Sequence, residues 1–359
     1  MSLKIAIVGL PNVGKSTLFN ALVKGSKAEA ANYPFCTIEP NTGIVEVPDE
    51  RLAPLGEISH SKKIIPAVVE FIDIAGLVRG AYKGEGLGNQ FLSHIRDVAA
   101  IVEVVRCFES AEIIHVEEKV NPIRDLETIN AELIFKDLDG VEKRLAKLEG
   151  EARSGDKQKA KDFEILKKIR EELNKGNLLF NLLKRGSTQI ETRINSDKNQ
   201  SISEFDPRVS ELAKEMNLLA AKPQIYLLNG APEDVSEELK KRIKSLGADY
   251  LIINLAEADS ESINKLIQKA YEILDLISFL TTGEDETRAW TIRRGAKAPE
   301  AAGEIHTDFE NKFIRAETIN WKKLIEAGSW TAAKQKGWLR LEGKDYVVQD
   351  GDVLEIRHG

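Results

Sequence analysis

The sequence predicts an α/β fold: a sheet of alternating strands and helices, interrupted by a helical insertion and followed by a small α+β module. Three observations predict it. An apolar run over residues 3–8 leads into a glycine-rich loop and then into a helical pattern. From residue 126 the apolar residues repeat at helical spacing over two long segments. From residue 279 short alternating runs separated by glycines replace them.

The loop after the first strand reads Gly-Leu-Pro-Asn-Val-Gly-Lys-Ser over residues 9–16. Glycines at Gly9 and Gly14 let consecutive backbone N–H groups point at an anion, and the following helix adds partial positive charge. In this arrangement Lys15 reaches the β- and γ-phosphates of a nucleotide, and the Ser16 hydroxyl binds Mg²⁺. The strand, loop and helix together therefore predict the P-loop of a nucleoside triphosphatase.

Asn12 lies inside this loop, two residues before its second glycine. Its side chain is suited to hold a monovalent cation such as K⁺ against the phosphates, in the place of an arginine finger. The alternative is a loop asparagine that hydrogen-bonds its own backbone. The sequence leaves both interpretations open.

Residues 26–42 lack periodicity and contain two prolines, which predicts a long loop at the position of the first switch of a P-loop protein. A threonine in that switch completes the Mg²⁺ shell and senses the γ-phosphate. Thr37 is our candidate, and Thr42, which abuts the strand predicted over residues 43–47, is the alternative. The other interpretation of this segment is an ordinary connecting loop.

A further strand, over residues 67–72, ends in Asp73 and, three residues later, Gly76. We expect Asp73 to contact Mg²⁺ through a water and the Gly76 N–H to bind the γ-phosphate. Ras-like enzymes place a water-orienting glutamine next, but here the residue is Leu77. Because leucine cannot orient water, hydrolysis must be slow or must use another group.

The strand predicted over residues 223–228 ends at Asn229, where GTPases place Asn-Lys-x-Asp. The aspartate of that motif accepts two hydrogen bonds from guanine. Here Gly230, Ala231 and Pro232 follow, so the lysine and the carboxylate are both missing. Each lost acceptor is worth on the order of 1–3 kcal/mol, which favours ATP, or indifference between the two nucleotides, over a preference for GTP.

Residues 126–176 predict two antiparallel helices that form a projecting arm. The apolar residues that repeat at helical spacing are Val141, Leu145, Leu148 and Ala152, then Phe163, Leu166, Ile169 and Leu173. Residues 141–176 contain eleven Lys or Arg and eight Asp or Glu, in a chain of net charge −7. This small excess fits either a solvated helical hairpin or a partner-binding arm, with RNA as one such partner. The polar residues 186–206 predict an irregular return from the arm.

The carboxyl-terminal part of the chain predicts a separate module. Residues 260–279 predict the last helix of the sheet domain, and short alternating runs follow it. Residues 345–349 and 352–356 flank an Asp-Gly pair at 350–351, which predicts a β-hairpin. The charge of this module is close to neutral, so electrostatics alone does not identify it as an RNA binder.

Composition narrows the class of protein. The net charge of −7 provides no global basic field for nucleic acid or membrane. Residues 98–105, the longest apolar stretch, are too few to span a bilayer, and a strand beginning at residue 3 leaves no room for a signal peptide. Cys36 and Cys107 lack metal-ligand spacing and suit a reduced compartment. We therefore expect a cytoplasmic protein with no membrane partner.

Several segments closely resemble the Obg-like ATPase family, in its YchF branch. They are residues 9–22, the Asn-Tyr-Pro-Phe-Cys-Thr-Ile-Glu-Pro-Asn stretch at 32–41, the Asp-Ile-Ala-Gly-Leu-Val-Arg-Gly-Ala stretch at 73–81, and residues 84–92, 288–292, 305–310 and 313–317. The matching segments are spread over nearly the whole chain. Because several are nearly verbatim and rare elsewhere, the chain is identified as a member of this family.

The resemblance implies three parts. These are a P-loop nucleotide-binding G domain over residues 1–278, a coiled-coil arm inserted near residues 127–200, and a TGS domain over residues 279–359. The resemblance further implies ATP in preference to GTP, Mg²⁺, slow hydrolysis and association with ribosomes. We expect RNA contacts to involve the arm and the TGS domain, and the protein to be a monomer.

The resemblance also implies site residues. The nucleotide-binding set comprises Asn12, Val13, Gly14, Lys15, Ser16, Thr17, Phe35, Gly76, Asn229 and Gly230. Mg²⁺ would bind Ser16 and Thr37, with Asp73 acting through a water. For the missing water-positioning group the resemblance directs attention to His115; a packed histidine beside a strand is the alternative, and His94 is a weaker candidate.

One departure from the family concerns the base. Members usually have Asn-x-x-Glu at this strand end, whereas here Pro232 stands at the glutamate position and Glu233 follows. The adenine contact would then fall to backbone groups around Gly230, unless Glu233 or Asp234 approaches the base. The first functional hypothesis is a slow, ribosome-associated ATPase switch. The alternatives are a GTPase of ordinary guanine preference and a nucleotide-stabilised scaffold that binds ribosomes or RNA without significant turnover.

Overall fold

The structure is a computed structural model and describes residues 4–25, 41–74, 76, 80, 94–152, 156–180 and 207–359. The chain divides into two compact units. The first comprises Met1–Asn20 and Phe71–Ala258, and the second comprises Ala21–Glu70 and Asp259–Gly359. In the described part of the chain, no helix combines the length and the apolar composition that crossing a bilayer requires.

Strands and helices alternate along most of the chain. The described strands are β1 (Lys4–Val8), β2 (Thr42–Glu46), β3 (Lys63–Ile65), β4 (Val68–Asp73), β5 (Ala100–Arg106), β6 (Gln224–Asn229), β7 (Asp249–Ile253), β8 (Leu276–Thr282), β9 (Glu286–Arg293), β10 (Phe313–Asn320), β11 (Arg340–Glu342) and β12 (Asp352–His358). The described helices are α1 (Lys15–Gly25), α2 (Leu52–Ser59), α3 (Pro122–Ala152), α4 (Lys157–Asn174), α5 (Pro207–Glu215), α6 (Glu237–Ser245), α7 (Ser260–Ile273), α8 (Ala298–Ile305), α9 (Thr307–Asn311), α10 (Trp321–Ala327) and α11 (Trp330–Gln335).

The first unit is built on a sheet in the strand order β4-β1-β5-β6-β7, to which β4 contributes its last residues. The pairs β1/β5, β5/β6 and β6/β7 are parallel, and Val102 of β5 lies opposite both Ile7 and Ile225. Every residue of β5 and β6 is buried. This burial is expected for parallel strands with both faces covered, and it confirms the predicted α/β class.

The long helices α3 and α4 are the predicted antiparallel pair. Glu142 lies 3.6 Å from Arg170, and Glu151 lies 3.1 Å from Lys159, so later positions of one helix face earlier positions of the other. The Asp156 side chain caps α4 by accepting from the N–H groups of Gln158 and Lys159. Residues 153–155 of the turn and 186–206 of the predicted return lie outside the described residues.

The helix α3 belongs both to the sheet layer and to the arm. It begins at Pro122, and one apolar cluster runs from Val105 and Leu228 of the sheet, through Leu126 and Leu145 of α3, to Leu166 of α4. The helix is continuous because nothing in its interior breaks it strongly; Gly140 costs only about 1 kcal/mol relative to alanine. The arm is therefore the extension of a helix that is anchored on the sheet.

The second unit contains the strand order β11-β10-β12-β8-β9-β3. The pairs β8/β9, β10/β12 and β10/β11 are antiparallel, whereas β12/β8 and β3/β9 are parallel. Its core packs Phe279 and Ile292 of the sheet against Ala301 of α8 and Leu354 of β12. This mixture of strands and short helices confirms the predicted α+β character of the carboxyl-terminal module.

Two details of this module differ from the sequence prediction. The helix predicted over residues 260–279 ends at Ile273, because Asp275 takes a left-handed conformation (φ 56°) and the β-branched and aromatic residues after it enter β8. The boundary predicted between residues 278 and 279 thus falls inside a strand. The limits of the predicted domains, residues 1–278 and 279–359 with the arm near 127–200, therefore stay a prediction.

The predicted hairpin at residues 345–356 is wrong in its first half. Gly351 has a positive φ of 81° and does form a turn, and β12 follows it. Residues 345–349 form no strand: the Val348 N–H donates to Ala296, and Tyr346 accepts from the Ala298 N–H. The alternating pattern arises because Val348 enters the core while its neighbours remain more accessible.

Candidate nucleotide-binding site

The predicted P-loop joins β1 to α1, and its two glycines are required by the backbone. Gly9 has φ 150° and Gly14 has φ 106°. A Cβ atom at Gly9 would lie 2.5 Å from the Val104 carbonyl oxygen, and one at Gly14 would lie 2.6 Å from Asn229 Nδ2. Side chains at either position would displace the loop from β5 or from β6. The predicted strand, loop and helix are confirmed.

Lys15 is folded over this loop. It is 8% exposed, and its ammonium donates to the Leu10 carbonyl at 2.8 Å. Burial lowers the pKa of Lys15, and the nearby Asp73 carboxylate opposes that change. Gly76 lies beside the same group, since a Cβ there would come within 3.1 Å of Lys15 Nζ and 3.0 Å of the Pro11 nitrogen. The structure therefore brings Gly76 to the P-loop, which is the position that the predicted contact with the γ-phosphate requires.

The two predicted magnesium-side residues meet directly. The Ser16 hydroxyl, in the first turn of α1, donates to Asp73 Oδ2 at 2.8 Å. Asp73 is the last residue of β4, so the end of a strand places a carboxylate at the start of the helix. Thr37 and Phe35 lie outside the described residues, as does Leu77, and the alternative threonine, Thr42, begins β2.

Asn12 contacts a second loop. It has a positive φ of 62°, and its Nδ2 donates to the Ile114 carbonyl at 3.2 Å. The side chain is thus engaged 102 positions away along the chain rather than with its own backbone. This contact was not predictable from the sequence, because a local motif carries no information about a partner so distant along the chain.

His115 is buried in that second loop and is 4% exposed. Its Nδ1 accepts from the Glu117 N–H at 3.1 Å, so in the neutral ring the proton sits on Nε2. Nε2 lies 2.9 Å from Asp125 Oδ2 on α3. This arrangement is that of a packed histidine, the alternative in the sequence analysis, whereas a catalytic role for His115 stays a prediction. The weaker candidate, His94, is exposed.

Asn229 connects the P-loop to the end of the sheet. Its Nδ2 donates to the Val13 carbonyl at 2.9 Å, and its Oδ1 accepts from the Leu255 N–H at 3.0 Å. It is 4% exposed. Both ends of the amide are therefore bonded to backbone, which makes Asn229 a support for the loop. The neighbouring Gly230 N–H donates to the Ile253 carbonyl at 3.3 Å.

The acids after Gly230 are arranged differently from those of a guanine site. Pro232–Asp234 form a short 3-10 helix, and Asp234 Oδ2 accepts from the Ala231 N–H at 2.8 Å. Asp234 thus caps its own turn, while the Glu233 side chain is exposed. Neither acid occupies the position of the missing aspartate in the sequence motif.

Arg106 is an organising residue that the sequence analysis missed. It ends β5 at 1% exposure and donates to the carbonyls of Phe108 and Ile113, each at 3.0 Å. Its guanidinium also lies 4.6 Å from the centre of the Phe108 ring. An arginine at the end of a largely apolar strand was the available signal. Through Ile113, Arg106 fixes the loop that carries His115.

Comparisons with known proteins agree with this geometry. A family model described as 50S ribosome-binding GTPase matches residues 4–229. A second, YchF-GTPase_C, described as a protein of unknown function, matches residues 276–359.

Full-length relatives are similar throughout. The chain is 44% identical to the ribosome-binding ATPase YchF of Bacillus subtilis and 43% identical to that of Escherichia coli O157:H7, with 99% of each chain covered. A solved structure of the Schizosaccharomyces pombe YchF GTPase superposes with a TM-score of 0.78 at 38% identity, covering 99% of this chain and 98% of that one. The chain therefore belongs to the YchF family.

Proposed function

We propose that this protein is a ribosome-associated ATPase that binds ATP with Mg²⁺, hydrolyses it slowly and acts as a nucleotide-dependent switch. The observation that carries the proposal is the P-loop, in which Lys15 lies over the loop and Ser16 is bonded to Asp73. Relatives named as ribosome-binding ATPases support it. Because ribosomes work in the cytoplasm, the proposal places the protein there, and we take a monomer as its working form.

Lys15 is the principal cation for the phosphates. Its present acceptor, the Leu10 carbonyl, is neutral, and burial disfavours the charged ammonium. Phosphate oxygens would give the ammonium a charged partner in a site of low dielectric constant, where such a hydrogen bond is strong. The backbone N–H groups of residues 12–17 and the start of α1 add donors around the same anion.

Ser16 and Asp73 fit a Mg²⁺ ion, because a hydroxyl and a carboxylate 2.8 Å apart are the oxygen donors that this ion prefers. The ion would neutralise charge on the β- and γ-phosphates. Ser16 would hold it directly and Asp73 would orient one of its waters; Thr37 stays the predicted third ligand. In the described residues no three His, Cys, Asp or Glu side chains form a metal cluster of their own, so we expect the ion to arrive with the nucleotide.

Asn12 supports a second, monovalent cation site. Its amide nitrogen is bonded to the Ile114 carbonyl, and the amide oxygen is the atom that binds cations. We expect K⁺ on that oxygen to raise turnover relative to Na⁺ at equal ionic strength. Equal rates in the two salts would remove Asn12 from cation binding.

A preference for ATP follows from the base side of the site. Guanine needs a carboxylate to accept from its ring N–H and its amino group, but Asp234 is bonded to the Ala231 N–H and Pro232 carries no acceptor side chain. Adenine needs only backbone groups, which the segment around Gly230 offers. The GTPase alternative draws support from the name of the fission yeast structure.

His115 is our candidate for the water-positioning group that Leu77 does not supply. It follows Ile114, whose carbonyl is bonded to the P-loop residue Asn12. The proposal predicts that His115→Ala lowers ATP turnover about tenfold while ATP affinity is retained. Single-turnover hydrolysis measures this, and unchanged turnover would make His115 a packing residue only.

RNA contacts through the arm and the TGS domain complete the proposal. Part of the arm's positive charge is already neutralised, because five of the eleven Lys or Arg residues in 141–176 form ion pairs within it: Lys143, Lys159, Lys167, Arg170 and Lys175. We therefore expect RNA binding by the arm to be weak and to fall steeply with salt.

The experiment that tests the function measures ATP hydrolysis with and without purified ribosomes, together with sedimentation on them. We expect slow turnover that ribosomes change, loss of turnover in Lys15→Ala, and sedimentation that depends on nucleotide. The scaffold alternative predicts no significant turnover and sedimentation that does not depend on nucleotide. In that case Lys15→Ala abolishes nucleotide binding, yet sedimentation stays intact and nucleotide never affects it.

A further inference from the structure

The loop of residues 107–121, between β5 and α3, presents three apolar side chains to solvent beside the P-loop. Ile113 is 41% exposed, Ile114 80% and Val116 45%. We call these three residues the tip. A single exposed isoleucine is ordinary, but three apolar side chains within four positions form a patch of the kind that protein partners cover.

The tip is held in place from below. Arg106 donates to the Ile113 carbonyl at 3.0 Å, and Asn12 donates to the Ile114 carbonyl at 3.2 Å. His115, between the exposed residues, is buried with Nε2 2.9 Å from Asp125. These three contacts hold the backbone on both sides of Ile114, so its side chain is exposed on an anchored loop and not on a frayed one. Apolar side chains held in solvent stabilise a complex when a partner covers them and removes them from water.

Charge around the tip indicates what covers it. Glu109, Glu112 and Glu118 are exposed and Glu117 is half-buried, whereas Lys119 is the single Lys or Arg of residues 107–121. This acidic rim repels the phosphates of RNA and attracts basic groups. Since ribosomes offer both RNA and basic protein segments, the rim discriminates between the two.

We propose that the tip is a docking surface for a basic protein segment of the ribosome, whose apolar side chains cover Ile114 while its Lys or Arg side chains meet the acidic rim. The proposal rests on the ribosome association proposed above. It adds the class of partner, protein rather than RNA, and the surface that binds it.

Docking of the partner at the tip is coupled to nucleotide binding at the P-loop. Asn12 belongs to the P-loop and bonds the backbone of Ile114, so a change in either loop alters the other. Such coupling is reciprocal: nucleotide that changes partner affinity is itself bound with an affinity that the partner changes by the same factor. Asn12→Ala therefore uncouples the two, and ribosome affinity becomes the same with and without ATP.

The first test places a photoreactive p-benzoylphenylalanine at position 114 of the full chain, bound to purified ribosomes and irradiated. We expect a covalent adduct whose size ribonuclease leaves unchanged, as it must if the cross-linked partner is protein rather than RNA. An RNA adduct, or no adduct while the same protein still sediments with ribosomes, overturns the proposal. If the unmodified chain fails to sediment with ribosomes, the proposed function fails first, and this inference fails with it.

The second test uses affinity and matched controls. We expect Ile114→Ser to weaken ribosome binding about tenfold, whereas Ile64→Ser, at a residue 47% exposed on β3 and outside the arm and the TGS domain, leaves it unchanged. Glu112→Lys should weaken binding several-fold, and Glu238→Lys on α6 should not. Because Ile114 and Glu112 are exposed, we expect these variants to fold. If Glu112→Lys tightens binding, the partner at the tip is RNA and the proposal is wrong.

Discussion

The phosphate side and the base side of the candidate site are built in different ways. The phosphate side is one continuous stretch, residues 9–16, completed by Asp73. The base side is assembled from the ends of two strands, where Asn229 bonds both Val13 and Leu255. The phosphate side thus depends mainly on the backbone conformation of one loop, and the base side depends on contacts between residues far apart in the sequence. Mutations should therefore separate affinity for phosphates from choice of base.

The largest effect is expected on the phosphate side. Lys15→Ala removes the buried ammonium, and we expect nucleotide affinity to fall about a hundredfold for ATP and GTP alike. Fluorescent nucleotide titration measures it, with Lys24→Ala in the last turn of α1 as the control. A variant that keeps wild-type affinity would show that Lys15 contributes nothing to phosphate binding.

Next in size is the residue that joins the two sides. Asn229→Ala leaves the Val13 carbonyl and the Leu255 N–H without their buried partner, at a cost of about 1–3 kcal/mol each. We expect a lower free energy of unfolding in denaturant and about tenfold weaker binding of both nucleotides. If instead only the ratio of ATP to GTP affinity changes, Asn229 reads the base directly.

These contacts show how far the sequence could lead. Gly9 and Gly14 were predictable because a tight loop demands positive φ at those positions, and Ser16 and Asp73 because the spacing of strand and helix ends is regular. The partners of Asn12 and Arg106 were not, since they depend on how a distant loop folds. Residues 276–279, the first part of β8, were predicted as the end of a helix because a short apolar run carries little periodicity.

A smaller effect tests the base side alone. Pro232→Glu restores the acid that the family usually has, and a carboxylate there can accept from the adenine amino group. Guanine offers that carboxylate two donors and adenine only one, so we expect the ratio of ATP to GTP affinity to fall several-fold while the affinity for the shared phosphates is unchanged. Glu233→Gln, at an exposed neighbour, serves as the control and should leave that ratio as it is.

The last expected effect is on stability rather than on nucleotide binding, and it concerns the strand beneath both sides. Glu103 of β5 is 1% exposed, and neither carboxylate oxygen has a hydrogen-bond partner among the described residues. Burial raises the pKa of Glu103 well above its usual range, and Asp125 adds to the rise. The folded protein therefore holds the proton that the unfolded chain releases as pH increases.

Stability should accordingly fall as pH rises above the ordinary glutamate pKa, with a slope of at most about 1.4 kcal/mol per pH unit from this group. Glu103→Gln stays neutral, so its free energy of unfolding should gain on the wild type as pH is raised from 5 to 8. Glu238→Gln, at an exposed glutamate, should gain nothing over the same range. Parallel curves for wild type and Glu103→Gln would show that Glu103 is ionised in the fold.

The comparison of the two sides is tested most directly by calorimetric titration of ATP and of GTP, each with Mg²⁺, into the full chain. Both nucleotides share the phosphate side, so any difference in affinity comes from the base side. The account predicts that ATP binds more tightly than GTP. Tighter binding of GTP by about a hundredfold, or no binding of either nucleotide, would contradict it.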